Sequence, residues 1–206
     1  ASTDDILVYN KTPNYEEPCT VATGSLRRTA QWLHKYPHHT VVNLRGNVNT
    51  RLQKLKDNPW TGAVFAAAGL ERLDLKPTTF ETLHWMTPAP AQGAMLVVAL
   101  EKDKWIHEIV KQLNHRQTEI CTYIERQFLQ TLEGGCTAPI GAKAQFTSEK
   151  EISFKGNIFS LNGKEKFETQ QIFNVEEYKY AGEKHANKLL DDGANRLLDE
   201  LKQLRC

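Results

Sequence analysis

The sequence predicts an α/β domain on an open, mainly parallel sheet, followed by a small α+β domain with a three-stranded antiparallel sheet and helices. Three observations carry this expectation. Up to Pro90, short apolar runs alternate with amphipathic stretches, as repeated strand-then-helix units do. Thr87-Pro88-Ala89-Pro90-Ala91-Gln92-Gly93 then gathers two prolines and a glycine into one short stretch, the mark of a linker or hinge. Beyond it a helical ridge gives way to three β-like runs and a final helical segment.

In chain order, Thr20-Val21-Ala22-Thr23 reads as a short strand. Gly24 permits a tight entry and Ser25 is a good N-cap for a helix with Leu26, Ala30 and Leu33 on one face, ending at Pro37. A second cycle runs from the strand Val41-Val42-Asn43-Leu44 through the turn Arg45-Gly46-Asn47 into a helix carrying Val48, Leu52 and Leu55. The third runs from Ala63-Val64-Phe65-Ala66-Ala67 through Gly69 into Leu70-Glu71-Arg72-Leu73. Repeated units of this kind imply parallel strands with right-handed crossovers. After the hinge, Ala94 to Leu100 reads as an apolar strand, and a helix from Asp103 carries Trp105, Ile109 and Leu113 on one face.

Ile120, Ile124, Phe128 and Leu132 form the next helical ridge, which ends at Gly134-Gly135. Three β-like runs follow, Ala142–Phe146, Ile152–Phe159 and Lys166–Phe173, the last two joined at Asn162-Gly163, a strong hairpin signal. Ala186, Leu190, Leu197, Leu201 and Leu204 give the last segment an apolar helical face. The expected division is a binding domain over 1–92, a hinge with a strand and helix over 93–113, and the α+β domain over 114–206.

Composition narrows the class of function. A chain of 206 residues can bury a core without disulfide or metal staples. Lys plus Arg number 26 against 25 Asp plus Glu, a net charge of +1 that argues against a generic nucleic-acid or anionic-membrane binder while leaving room for a local basic cleft. Cys19, Cys121, Cys136 and Cys206 form no CxxC pair, which suits thiols of a reducing, cytoplasmic compartment. His38-His39 reads as a solvated pair, and no metal is expected. No apolar run approaches the roughly 18 to 20 residues of a transmembrane helix. The chain starts at Ala1 and its methionines are Met86 and Met95, so a processed chain or a piece of a longer one is expected.

Arginines stand at all three strand-to-helix junctions: Arg27 and Arg28, then Arg45 with Arg51, then Arg72. In open α/β sheets ligands collect beyond the carboxyl ends of the strands, where helix N-termini offer unpaired N–H groups. Arginine early in a helix opposes the macrodipole, so its repetition there points to a function that offsets a small stability cost. Guanidinium binds carboxylate or phosphate in a two-pronged fashion. With neither GxxxxGK[ST] nor GxGxxG present, a polycarboxylate suits the edge better than a phosphate.

Gly134-Gly135-Cys136-Thr137-Ala138-Pro139 sets a cysteine in a turn without bulky neighbours. Its composition fits an accessible thiol, able to act as nucleophile or attachment point, and equally an ordinary buried cysteine.

Together these segments resemble the porphobilinogen deaminase (hydroxymethylbilane synthase) family. The matching stretches are Thr23-Gly24-Ser25-Leu26-Arg27-Arg28, Val42 to Leu52, Ala67 to Leu73, Pro90 to Ala94 and Leu132 to Gly141, in the family's order over nearly the whole chain. The resemblance implies a periplasmic-binding-protein-like first domain here and a cytoplasmic, usually monomeric transferase of haem (porphyrin) biosynthesis. Such an enzyme joins four porphobilinogen units head to tail with release of ammonia, giving hydroxymethylbilane. It implies a dipyrromethane cofactor in thioether linkage to Cys136, bound by Ser25, Arg27, Arg28, Arg45 and Arg51. Porphobilinogen and the growing oligopyrrole would be held by Arg27, Arg45, Arg51, Arg72 and Gln92. Every pyrrole carries acetate and propionate, so the polycarboxylate expectation and the resemblance agree.

Two departures are small: Gly24 stands where the family usually has serine, and Pro90-Ala91-Gln92 varies a segment that usually contains glycine. The large one is that the match covers the family's second and third domains, without the N-terminal domain that supplies the catalytic aspartate. Asp4, Asp5, Asp57, Asp74 and Asp103 lie outside every matching motif, so none is assigned that role and no turnover is expected from this fragment. The strand at 94–100 would then be an exposed edge prone to self-association. A non-catalytic polycarboxylate-binding module or sensor is the alternative, distinguished by having no need of Cys136.

Overall fold

The computed structural model describes residues 1–75, 77–132 and 138–203. The N-terminal domain is a five-stranded sheet of β1 (Asp5–Tyr9), β2 (Thr20–Ala22), β3 (Thr40–Val42), β4 (Gly62–Ala66) and β5 (Phe80–Thr82) in the order β3-β2-β4-β1-β5. The three expected strand–helix cycles are present: β2 leads to α1 (Leu26–Lys35), β3 to α2 (Val48–Asp57) and β4 to α3 (Ala67–Glu71). β2 pairs in parallel with β3 and β4. β1 and β5 extend this parallel core, with β1 antiparallel to both β4 and β5.

Side chains alternate across the sheet, so Ile6 and Val8 enter one core and Leu7 the other. Leu55 of α2 and Leu70 of α3 cover the first face, and Trp32 of α1 covers the second. The expected apolar face of α1 is corrected: Leu26 is exposed, while Arg27, Arg28, Gln31 and Trp32 are buried with Ala30. His39 corrects the expected solvated pair. It is buried and its Nδ1 accepts from Trp32 Nε1 at 3.2 Å, while His38 is exposed.

The C-terminal domain packs α5 (Arg116–Thr131), α6 (Tyr178–Leu189) and α7 (Asn195–Gln203) on an antiparallel sheet of β6 (Ile140–Phe146), β7 (Glu151–Phe159) and β8 (Lys166–Asn174). The ridge Ile120, Ile124, Phe128 and Leu132 lies in its core with Phe154, Ile158, Leu189, Leu197 and Leu201. Leu204 lies outside the described residues. Gly163 turns the β7–β8 hairpin at φ +71° and brings it against α1, where a Cβ would stand 2.5 Å from Ala30 O. His34 Nδ1 and Gly163 O are 2.8 Å apart across that contact.

The strand expected at Ala94–Leu100 is also corrected. Those residues join no ladder among the described residues, because an apolar run becomes a strand only where a partner meets its N–H and C=O groups. The expected exposure stands: Met95 is 77% and Val98 79% accessible. The helix expected from Asp103 forms as α4 (Lys104–Lys111), N-capped by Asp103 Oδ1 on Ile106 N at 3.2 Å. None of its residues is buried; Trp105 within it and Leu113 just beyond it are exposed.

Candidate functional site

β2 and β4 end at the same sheet edge, and the antiparallel β1 begins there, since Asp5 stands opposite Ala66. Beyond that edge the chain enters α1 through Thr23-Gly24-Ser25. Ser25 is extended and its Oγ accepts from Arg28 N at 3.4 Å, the N-cap expected of it. Asn47 does the same for α2, its Oδ1 accepting from Thr50 N and Thr50 Oγ1, both at 2.9 Å. Gly46 holds φ +120°, a conformation suited to glycine, and so turns the chain into α2.

Between these turns lies a cavity of about 430 Å³ lined by Gly24, Ser25, Thr29, Asn43 and Arg45. The N-terminus of α1, with its dipole positive end, borders it. Arg45 is exposed, and the neighbouring loop is braced by Arg51, whose Nε donates to Gly46 O at 2.7 Å. Lys54 Nζ donates to Arg45 O at 3.0 Å. A smaller cavity of about 260 Å³ sits in the C-terminal domain beside Phe173, Tyr180 and Lys184, with none of the arginines of the sheet edge in its lining.

Arg27 and Arg28 point away from solvent. Arg27 Nη1 donates to Asp5 Oδ2 and to Thr87 O, both at 2.7 Å, and its Nη2 donates to Gln92 Oε1 at 3.2 Å. Arg28 donates to Asp5 Oδ1 from Nη2 at 2.7 Å and from Nε at 3.0 Å, and to Val64 O from Nη1 at 3.1 Å. Gln92 closes the group, its Nε2 donating to Thr3 O at 2.8 Å and to Asp5 Oδ1 at 3.0 Å. Burial works to raise the Asp5 pKa, but the two guanidiniums outweigh it and hold the carboxyl below its ordinary value. Burial also pulls the Arg27 pKa down, opposed by Asp5.

The expected site residues therefore fall into two groups. Ser25 and Arg45 share the cavity, with Arg51 bracing its rim. Arg27, Arg28 and Gln92 meet around Asp5. The expected place of Arg72 at a strand-to-helix junction is corrected: α3 already begins at Ala67, so Arg72 stands at its C-terminal end, exposed and outside the Asp5 group. Cys136 lies outside the described residues.

Sequence reasoning missed Asp5, Gln31 and Thr87. Gln31 Nε2 donates to Thr87 O at 2.9 Å, while Thr87 N donates to Gln31 Oε1 at 2.8 Å, so one side chain clasps both backbone groups of a single hinge residue. One signal was present: Asp5 opens the apolar run Ile6-Leu7-Val8, and two adjacent arginines entering a core require an acid.

A carboxylate suits the donor set of this cavity: the exposed Arg45 guanidinium and the Ser25 hydroxyl at a helix N-terminus. Two family models match the chain. One, described as porphobilinogen deaminase, dipyromethane cofactor binding domain, covers residues 1–108, and one described as porphobilinogen deaminase, C-terminal domain, covers residues 119–191. Among similar curated proteins, porphobilinogen deaminase of Neurospora crassa is 34% identical over 206 residues, covering 96% of this chain and 61% of that protein. That of Parasynechococcus marenigrum is 36% identical over 96% of this chain and 64% of its own length. The chloroplastic protein of Oryza sativa is 40% identical over 73% of this chain and 43% of its own length. The chain thus spans about three-fifths of the length of the first two relatives.

Proposed function

The chain belongs to the porphobilinogen deaminase family, and we propose that it is the part of such a transferase that holds the dipyrromethane cofactor and the growing oligopyrrole. The observation that supports this most is the cavity at the α1 N-terminus, which brings Ser25 and Arg45 to one opening. Ser25, Arg27, Arg28, Arg45 and Arg51 would hold the cofactor's acetates and propionates, with Cys136 as the covalent anchor. Arg27, Arg45, Arg51, Arg72 and Gln92 would hold porphobilinogen and the growing oligopyrrole. When bound, the dipyrromethane supplies the free pyrrole carbon on which the chain is extended.

The protein's own part is fixed charge. Guanidiniums stay protonated through the physiological range and bind carboxylates without moving protons. The helix N-terminus adds oriented N–H groups at no further reorganisation cost. Within this reading, residues 1–92 bind, 93–113 connect, and 114–206 carry Cys136. The compartment is cytoplasmic, a reading supported by the free thiols of Cys19 and Cys121.

In this reading the isolated chain performs no multiple turnover. Its support is the engagement of Asp5 by two guanidiniums and Gln92, which leaves that carboxylate committed. The test is incubation with porphobilinogen and a search for hydroxymethylbilane or its cyclised product. No accumulating product is expected; steady multiple-turnover formation that depends on Arg45 would show that the chain is catalytically complete.

A further inference from the structure

Asp5 belongs to no motif of the family resemblance, yet it stands at the centre of the arginine edge. Its side chain is 0% accessible, and Arg27 and Arg28 are 5% and 8% accessible. Four parts of the fold meet in the cluster built on its two oxygens, where Val64 O accepts from Arg28 and Thr87 O from Arg27. β1 supplies the carboxylate and α1 the two guanidiniums. β4 contributes Val64 O, and the hinge contributes Thr87 O and Gln92. The strand itself is fixed on both sides, by pairing with β4 and by Leu83 N donating to Asp5 O at 2.9 Å.

Two adjacent guanidiniums repel one another and, left alone, would turn outward into water as separate flexible charges. Oδ2 takes one Nη of Arg27, and Oδ1 takes Nε and Nη2 of Arg28, so each oxygen selects one arginine and one orientation. One carboxylate against two guanidiniums leaves a single formal positive charge in the cluster. Gln92 bridges the pair of residues, donating to Asp5 Oδ1 and accepting from Arg27 Nη2. The orientation of Arg27 is thereby tied to the hinge.

We infer that Asp5 is a positioning residue of the anion-binding edge, setting the orientations of Arg27 and Arg28 and coupling them to the hinge through Gln92 without touching the ligand. The inference rests on the reading that these arginines serve a polycarboxylate site.

The experiment follows the arginine Nε–Hε resonances of this chain by NMR while porphobilinogen is added, in wild type, Asp5→Asn and Asp5→Glu. Asp5→Glu keeps the buried negative charge and carries the test if Asp5→Asn fails to fold. In the wild type the Arg27 and Arg28 signals are expected to be well dispersed and to shift on titration. Both variants are expected to lose that dispersion and to weaken binding by about tenfold or more, although Asn raises and Glu preserves the local charge. A role confined to charge balance would leave Asp5→Glu binding like the wild type. Unchanged affinity in Asp5→Glu, with wild-type binding intact, overturns the role of Asp5 alone. Wild-type Arg27 and Arg28 signals that do not respond to porphobilinogen overturn both the inference and the site reading on which it rests.

Discussion

Glu125 Oε2 accepts the backbone N–H of Ala91 at 2.6 Å, fastening a helix of the C-terminal domain to the hinge. Its other oxygen accepts from Ala144 N of β6 at 2.8 Å, so one carboxylate holds α5, β6 and the hinge together. Ala91 is a non-glycine residue at φ +60°, a conformation that the surrounding bonds must maintain.

This clasp should respond to pH. Burial pushes the Glu125 pKa up to about 7 from its ordinary 4.5, against the Ala144 and Ala91 N–H groups and the charges of Lys143 and Arg126. A folded pKa above the unfolded one means the native state holds the proton more tightly. The associated stability is complete below the unfolded value and is lost as pH rises towards 7, at up to about 1.4 kcal/mol per pH unit. Glu125→Gln should abolish this dependence and cost about 1–3 kcal/mol by leaving one N–H without an acceptor. Denaturant titrations of both proteins between pH 5 and 7.5 read the difference. Amide shifts of Ala91 and Ala144 that titrate separately would contradict a shared clasp.

His39 should act in the opposite sense. Its Nδ1 accepts from Trp32 and its Nε2 faces Tyr15 O at 3.1 Å, an arrangement satisfied by the neutral Nε2–H tautomer. Burial pulls its pKa down, with His38 adding to the effect and the Tyr15 carbonyl opposing it. The stability it contributes is present above the unfolded value near 6.5 and falls as pH drops below it. Trp32 fluorescence should therefore change on acidification below pH 6.5, and His39→Phe should remove that change. His185, pushed down to about 4 by burial and by Lys184 and Lys188, should stay neutral to lower pH. An imidazole titration of His185 above pH 6 would contradict its buried stacking on Phe154.

Much of the C-terminal domain was legible because its signals are local. Alternating apolar residues marked β6, β7 and β8, and Asn162-Gly163 marked their hairpin. The edge of the N-terminal domain was less so. β1 pairs with β4, whose residues lie more than fifty positions away, and no turn residues announce that pairing. Hydrophobic periodicity also cannot see a helix that buries arginines against a distant aspartate, so of the expected α1 face Ala30 is buried while Leu26 gives way to Arg27 and Arg28. The run 94–100 failed for the converse reason: its composition suits a strand, but a strand is a relationship between two segments. Ser25 is readable as a cap because capping is decided within three residues, whereas Asn47, expected only as part of a turn, caps α2 as well.

Gly163→Ala should loosen the contact between the domains while sparing the C-terminal fold. The new Cβ would meet Ala30 O and lie 2.7 Å from His34 N, at a φ that disfavours alanine. A cost of about 1–3 kcal/mol is expected. Hydrogen exchange should accelerate along α1 and leave β6 and β7 protected; acceleration confined to the hairpin would show that the contact holds no domain in place.

The exposed apolar residues from Met95 to Leu113 should drive self-association of the isolated chain. Met95, Val98 and Trp105 each present a large accessible side chain along one stretch. Sedimentation velocity should show concentration-dependent species that Val98→Lys with Trp105→Lys reduces. A monomer at all concentrations would remove this expectation.

The central claim, a polycarboxylate edge serving a cofactor tethered at Cys136, is tested most directly by intact mass. The wild-type chain, as isolated or after exposure to porphobilinogen, should carry a covalent pyrrole-derived adduct that Cys136→Ala lacks. An adduct that persists in Cys136→Ala, or a wild-type chain that never acquires one, would contradict it.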